Sequence, residues 1–470
     1  MTEPDQIKDT ESFRDSISTI GEDGKRKWVY PKKPKGKFTT ARGWVSIFLL
    51  AFLFGAPFIK IDGQPFLLFN LIERKFIIFG QVFWPQDFYI FGLGMIIFVL
   101  FIALFTVVYG RLFCGWVCPQ TIFMENVFRR VEYFIEGDWK QQMKLNKEPW
   151  NQKKIFKKTS KHIIFFAISF IIANTFLAYI VGIDELIDII TSPVTEHVGG
   201  LASITVFSGV FYGVFAFMRE QVCTTVCPYG RLQGVMLDRQ SIVVAYDRVR
   251  GEPRGKFRKN EDRDEVNKGD CIDCLQCVNV CPTGIDIRNG TQLECVNCTA
   301  CIDACDEMMV AVNLPTGLIR YTSEEQINTR KPFRLSTRAK AYTTLLVVLV
   351  GVLVALLFTR TSVELNILRT PGMLYQTNDD GSISNLYSYK VINKTNKEMT
   401  LNFVPIDEGY KIKMVGHNPT LSEQSTAEGA FFLSAPESAF ELGKTFTKLQ
   451  VYDADGKLID KVKVRISGPL

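Results

Sequence analysis

Residues 306–470 contain no cysteine, so nothing in the long C-terminal segment supports a disulfide scaffold. Five apolar runs, at 44–58, 89–109, 162–181, 200–218 and 341–358, contain no Asp, Glu, Lys or Arg. Their cores therefore lack the ionisable groups by which a proton-handling site inside a membrane announces itself. The segment 183–199 has no Lys or Arg, and the segment 24–43 has no acid. No A-x-A site follows the first apolar run, which begins only at Trp44, and this argues against a secretory signal peptide. Histidine is scarce at three residues, and neither His162 nor His197 has a partner at metal-binding spacing.

All 12 cysteines fall into four motifs, with none left over. Cys271, Cys274, Cys277 and Cys281 form C-x2-C-x2-C-x3-C-P, and Cys295, Cys298, Cys301 and Cys305 repeat the spacing, with Asp306 where the first run has Pro282. Two such runs are the signature of a two-cluster ferredoxin, in which the fourth Cys of each run ligates the cluster of the other. A zinc knuckle wants its ligands in two pairs, not two closely spaced triplets. On the ferredoxin rule one 4Fe-4S cluster takes Cys271, Cys274, Cys277 and Cys305, and the other takes Cys295, Cys298, Cys301 and Cys281. Cysteines kept as thiolate ligands fit a reducing compartment.

The five apolar runs meet the length expected of membrane spans, counting the short first run that Pro57 closes. A mean hydropathy of +0.09 and 37 Phe agree with that reading. Basic residues collect in 24–43 (eight), 110–161 (eleven) and 328–340 (five), whereas 183–199 carries only acids. The positive-inside rule then predicts a cytoplasmic N-terminus, cytoplasmic cysteine motifs and a C-terminal domain outside, in a multi-pass protein of the inner membrane. Beside a span, the basic segment reads as an anchor, and no nucleic-acid partner is expected. Trp84 and Phe88 suit an interfacial aromatic belt. Past the fifth span, short alternating runs separated by turn signals such as Asp380-Gly381 and Asp455-Gly456 predict about seven strands and an immunoglobulin-like sandwich. The sequon Asn393-Lys394-Thr395 is read as a chance occurrence.

The fold class expected is thus a five-span helical bundle with an inserted two-cluster ferredoxin and a C-terminal β-sandwich. Its parts are a basic cytoplasmic tail (1–43), spans one to four with their loops (44–220), a ferredoxin domain (221–340), the fifth span (341–360) and a periplasmic sandwich (361–470).

Two further motifs stand just past the second and fourth spans: Cys114 with Cys118-Pro119, and Cys223 with Cys227-Pro228. On a helix, residues i and i+4 share a face, so each C-x3-C-P presents two sulfurs side by side, and the proline tends to end or kink the helix there. Two pairs at equal depth suggest one four-thiolate site. Its occupant is either a third iron–sulfur cluster or a soft metal such as Cu(I), which thiolates select. The bland alternative is four small residues packed at helix ends. Met124, Met218 and Met236 lie near in sequence and read as apolar filler rather than thioether ligands.

The order FCGWVCPQT (113–121), VCTTVCPYGRLQG (222–234), YDRVRGEPRG (246–255), the paired ferredoxin runs, a last span and a β-rich tail resembles the cbb3-type cytochrome c oxidase accessory protein family (CcoG, also called FixG or RdxA). WPQDF (84–88) is also in its expected place. The resemblance implies a membrane-bound polyferredoxin that helps assemble a copper-containing oxidase by reducing Cu(II) to Cu(I). It carries the eight ferredoxin cysteines as cluster ligands and marks Cys114, Cys118, Cys223 and Cys227 as a redox or metal site, catalytic in a cupric reductase. The implied partners are the membrane, copper, and copper-delivery or oxidase-assembly proteins. Two other classes are weighed beside it: a quinol-oxidising membrane ferredoxin feeding a respiratory chain, and a redox-sensing assembly scaffold.

Overall fold

Long runs of Phe, Ile, Leu and Val with no polar face give helices that are apolar all round, the signature of a membrane span. In the computed structural model five helices have that character: Lys37–Phe58, Phe88–Tyr109, Gln152–Val181, Val198–Met218 and Thr337–Phe358. The structure describes residues 19–21, 23–61, 63–71, 75–83, 88–193, 195–259, 261–263, 265–359, 363–371, 375–378, 380–394, 398–422, 425–440, 442–453, 456 and 458–469. Residues 1–18, Trp84, Thr395 of the sequon and Asp455 of the second Asp-Gly turn lie outside the described residues. Each expected apolar run lies inside one of the five helices. The third span reaches furthest beyond its run, because the basic stretch before His162 is helical as well. At 30 residues it is about 45 Å long against about 30 Å of hydrocarbon, so its lysine-rich end stands clear of the apolar layer.

The chain divides into two compact units. In the first, the apolar seam between helices is aromatic: Phe128 stacks on Phe215 at 4.6 Å and meets Phe165 edge-on at 4.8 Å. Met124 is buried in this seam, among phenylalanines, which is the apolar role its sequence position suggested. The ferredoxin segment of the same unit closes with an antiparallel strand pair, Val243–Tyr246 against Ile319–Thr322. Val244, Ile285, Ile287, Ile302, Met309, Leu318 and Ile319 form its core.

The basic N-terminal segment is built into this unit. Lys32 binds the ferredoxin segment at Asn279 O (2.7 Å) and Gln276 Oε1 (3.0 Å). Asp303, on the ferredoxin helix Ala300–Ala311, accepts from Phe38 N (3.1 Å), Thr39 N (2.7 Å) and Thr39 Oγ1 (2.7 Å). A carboxylate there satisfies orphan amides at the start of the first span's helix and faces the positive end of its dipole. Arg42 Nη1 donates to Cys298 O at 2.8 Å. These bonds lock the cysteine-rich segment to the first span.

In the second unit the alternating runs form a two-sheet sandwich. One sheet orders Lys411–Val415, Thr426–Ala435, Ile383–Asn393 and Val363–Arg369, and the other orders Asn402–Pro405, Lys444–Tyr452 and Leu458–Ser467. Period-two alternation sends Tyr387, Tyr389, Val391, Phe431 and Leu433 of the first sheet against Leu449, Val451, Val464 and Ile466 of the second. Tyr387 Oη donates across the core to Arg465 O at 2.5 Å. Gly381 takes φ 75° in the expected Asp-Gly turn.

Candidate metal centre

Each ferredoxin run is curled by the same backbone device. Asp273 and Leu275 in the first run have φ 52° and 58°, and Asn297 and Thr299, at matching positions in the second, have φ 53° and 64°. These positive-φ residues curl each run tightly, and a one-turn or longer helix follows each second one, Gln276–Asn279 and Ala300–Ala311. The structure places Cys271, Cys274, Cys277 and Cys305 around one cavity, walled by Tyr246, Met309, Leu318 and Ile319. Cys281, Cys295, Cys298 and Cys301 surround a second, walled by Val244, Ile285 and Ile287, and Cys277 touches this one too. Among the described residues no three His, Cys, Asp or Glu side chains crowd one point as they would around a single ion. The eight cysteines stand on the walls of the two cavities. Burial pushes the thiols of Cys277, Cys295 and Cys305 up to about 12, so binding iron there means displacing protons as well. The donor set and the apolar walls fit 4Fe-4S clusters.

Asp306 has a structural reason to replace proline. It lies inside the helix Ala300–Ala311, where proline would remove a backbone bond, and its Oδ1 accepts from Gly317 N at 2.8 Å. The first run ends differently, with Pro282 just past the one-turn helix Gln276–Asn279.

Because Cys281 lies on the second-run cavity, Cys281→Ser is expected to disturb the spectrum of the second-run cluster more than that of the first. An intact second-run signal beside a lost first-run signal in that variant would show the ligands to be paired the other way.

The C-x3-C-P pairs differ from the helical face expected of them. Cys118 and Cys227, pressed by the prolines that follow, leave helical geometry at ψ 123° and 111°, and Pro119 and Pro228 begin new helices. Each of these cysteines donates its amide five residues back, Cys118 to Phe113 O at 2.9 Å and Cys227 to Val222 O at 2.8 Å. The two motifs thus share one wide turn closed at the second cysteine, rather than an i, i+4 pair on a continuous helix.

Cys114 and Cys223 both pack on the apolar patch of Val280, Val296, Cys298, Ala300 and Ala304, beside Cys301. Burial, and then the neighbouring thiols of Cys118, Cys114 and Cys227, push Cys223 up to about 12. Cys114 is raised to about 12 by burial, against the pull of Arg111. Its Sγ lies 3.0 Å from Oε1 of the fully buried Gln233. The ferredoxin loop approaches this group so closely that a Cβ on Gly115 would sit 2.5 Å from Val296 O and 2.7 Å from Asn297 O. Trp116 Nε1 donates to Tyr321 Oη (3.0 Å), which donates on to Asn297 O (3.3 Å).

Sequence reasoning missed a buried ionic network beside this group. Arg219 donates to both oxygens of Glu132 (3.1 and 2.7 Å), and Lys161 bridges Glu132 (3.5 Å) and Glu136 (2.9 Å). Arg129 reaches Glu125 at 3.3 Å and Glu220 at 3.8 Å. Burial opposes ionisation of Glu132, yet Arg219, Lys161 and Arg129 hold its carboxyl below the usual range. Arg129 and Lys161, two of the eleven basic residues in 110–161, are buried. The available signal was the acid spacing: Glu125, Glu132 and Glu136 recur at intervals of seven and four, one face of a helix. His162 is engaged apart from the cysteines, its Nδ1 2.8 Å from Tyr212 Oη.

Comparison with known proteins matches three family models: "4Fe-4S dicluster domain" over residues 218–324, "4Fe-4S binding domain" over 91–140, and "IG-like fold at C-terminal of FixG" over 353–469. The chain is 33% identical to Protein RdxA of Cereibacter sphaeroides, over 90% of this chain and 92% of that one. It is 36% identical to Protein RdxB of the same organism, over 84% and 86%. With the Nitrogen fixation protein FixG of Rhizobium meliloti it shares 33% identity over 80% and 79%.

Proposed function

Since the chain belongs to the FixG/RdxA family of membrane iron–sulfur proteins, we propose that it reduces Cu(II) to Cu(I) for assembly of a cbb3-type cytochrome c oxidase. Its coarser character is plain: it is an oxidoreductase-type electron-transfer protein with 4Fe-4S domains and membrane helices. The observation that carries the finer reading is the packing of Cys114 and Cys223 against the patch that holds Cys298 and Cys301. Clusters bound by the eight ferredoxin cysteines supply one-electron steps. The chain's own part is to offer Cys114, Cys118, Cys223 and Cys227 to the metal at that contact. Thiolates favour Cu(I) over Cu(II), so binding there raises the copper potential and draws one electron across, with no proton required. The match of a 4Fe-4S binding model over 91–140, which contains Cys114 and Cys118, favours a second reading in which these thiols hold a third cluster and copper is reduced at its edge.

The test is anaerobic: chemically reduced protein is given Cu(II) with a Cu(I)-specific chelator. Cluster oxidation is expected in step with Cu(I) formed. Clusters that stay reduced beside unreacted Cu(II) would turn the assignment toward a redox-sensing scaffold.

The charge pattern supports an orientation in which the N-terminus and all cysteines face the cytoplasm and the sandwich faces the periplasm. A reporter active only in the cytoplasm, fused after Leu470, is expected to be silent; activity there would reverse the orientation.

A further inference from the structure

We propose that the ferredoxin is a polarised relay, in which Arg42 and Arg111 make the second-run cluster the stronger electron acceptor. Electrons then pass from the Cys271/Cys274/Cys277/Cys305 site to the Cys281/Cys295/Cys298/Cys301 site, and from there toward Cys114 and Cys223. The inference deepens the reading above and rests on its assignment of the thiol sites.

The argument is one of uncompensated charge. Arg42 and Arg111 are each 4% exposed. Both guanidinium groups bind carbonyls of the second run: Arg42 binds Cys298 O at 2.8 Å, and Arg111 binds Leu293 O and, at 3.4 Å, Cys295 O. Among the described residues neither forms an ion pair with a carboxylate, and the Nε of each is buried without a partner. A buried cation without a counter-ion is costly. Thiolate sulfurs carrying a reduced cluster would supply the missing negative charge at the second-run cavity.

At the first run one buried guanidinium, Arg263, also binds a cysteine carbonyl, Cys271 O at 3.1 Å, but the cation that lines the cavity is already neutralised. Arg288 lines that cavity and pairs with Asp286 and Asp273, each at 2.6 Å. Asp306 adds a further negative charge near Cys305. Net charge and hydrogen bonds around a cluster set its potential. Arg42 and Arg111 without carboxylates, against Arg263 and a doubly paired Arg288 beside Asp306, therefore place the second-run potential higher. Arg111 also stands beside the membrane-span thiols: its Nη2 would lie 3.4 Å from a Cβ on Gly230, and its charge opposes the burial-driven rise of Cys114. It thus lies between the acceptor cluster and the next site. Each transfer moves one electron from a reduced to an oxidised centre, once a low-potential one-electron donor has reduced the first cluster.

The experiment is potentiometry of the full holoprotein in detergent, without copper, followed by electron paramagnetic resonance. Signals are assigned with Cys274→Ser, which removes a ligand of the first-run site alone. The second-run cluster is expected to reduce first. Arg42→Gln and Arg111→Gln are each expected to lower its reduction equilibrium constant tenfold or more, 59 mV for a one-electron couple, with the first-run signal left in place. Arg42→Lys and Arg111→Lys are expected to restore most of the shift. Reduction of the first-run cluster first, or equal shifts at both clusters, overturns the proposal. So does a Lys variant that fails to recover the potential or to bind iron, since charge would then not be the cause. Because copper is absent, failure of the copper reading shows only in the Cu(II) assay and leaves these potentials as they are.

Discussion

Replacing Cys114 and Cys223 together by serine is expected to abolish Cu(II) reduction while leaving both ferredoxin clusters assembled. The separation is structural. The eight ferredoxin cysteines line two cavities, and neither Cys114 nor Cys223 is on those walls. Both serine replacements act on the far side of the Val280, Val296 and Ala304 patch, where the two thiols pack. Serine keeps the size but replaces a soft donor by a hard one, which gives Cu(I) little to bind. In the anaerobic assay the rate of Cu(I) formation should fall to that of free reductant in solution. Copper reduction at the normal rate would place the site elsewhere. If the variant loses iron in proportion to one cubane, the third-cluster reading is correct and copper meets the electrons at that cluster's edge.

Much of this arrangement was legible in the residues because it depends on local rules. The five apolar runs and the two C-x2-C-x2-C-x3-C runs are patterns that only a few structures satisfy, and the alternation past Val363 specified a sandwich without any long-range information. What sequence spacing did not show was how the parts meet. The i, i+4 rule failed at Cys118 and Cys227 because it assumes an unbroken helix, whereas the following proline drives each of these residues to extended geometry. The basic segment read as a free anchor, yet Lys32 and Arg42 use their hydrogen bonds on the ferredoxin segment. Glu132 and Arg219 are 87 residues apart in sequence, and nothing local links them. Pairing across such a distance is set by helix packing, which periodicity alone does not determine.

That pairing carries the largest expected effect on stability. Glu132→Leu alone is expected to cost about 3–5 kcal/mol, because it leaves buried Arg219 with only Glu220 at 3.8 Å and takes from Lys161 one of its two carboxylates. Arg219 is the more exacting partner. It holds φ 55° and ψ −123°, a sparsely populated conformation that costs an L side chain about 1–3 kcal/mol, and its amide closes a wide turn onto Val214 O at 2.7 Å. The two bonds to Glu132 help fix that strained residue at the end of the fourth span, four positions before Cys223, so the network also helps place the thiols. Arg219→Met should destabilise comparably, whereas the double variant Glu132→Leu/Arg219→Met should recover most of the loss, since an apolar pair of similar volume often replaces a buried ion pair at little cost. The sign of the pH effect follows from the lowered carboxyl of Glu132. Its contribution is complete above the ordinary carboxylate range and is lost only as pH falls through the depressed folded-state value. Denaturant unfolding in detergent, followed by helical signal and cluster absorbance together, measures all three variants. Single variants within about 0.5 kcal/mol of the parent, the range of ordinary surface changes, would show that solvent already screens the pair. A double variant as unstable as the singles would instead mean that the charges are needed for the fold itself.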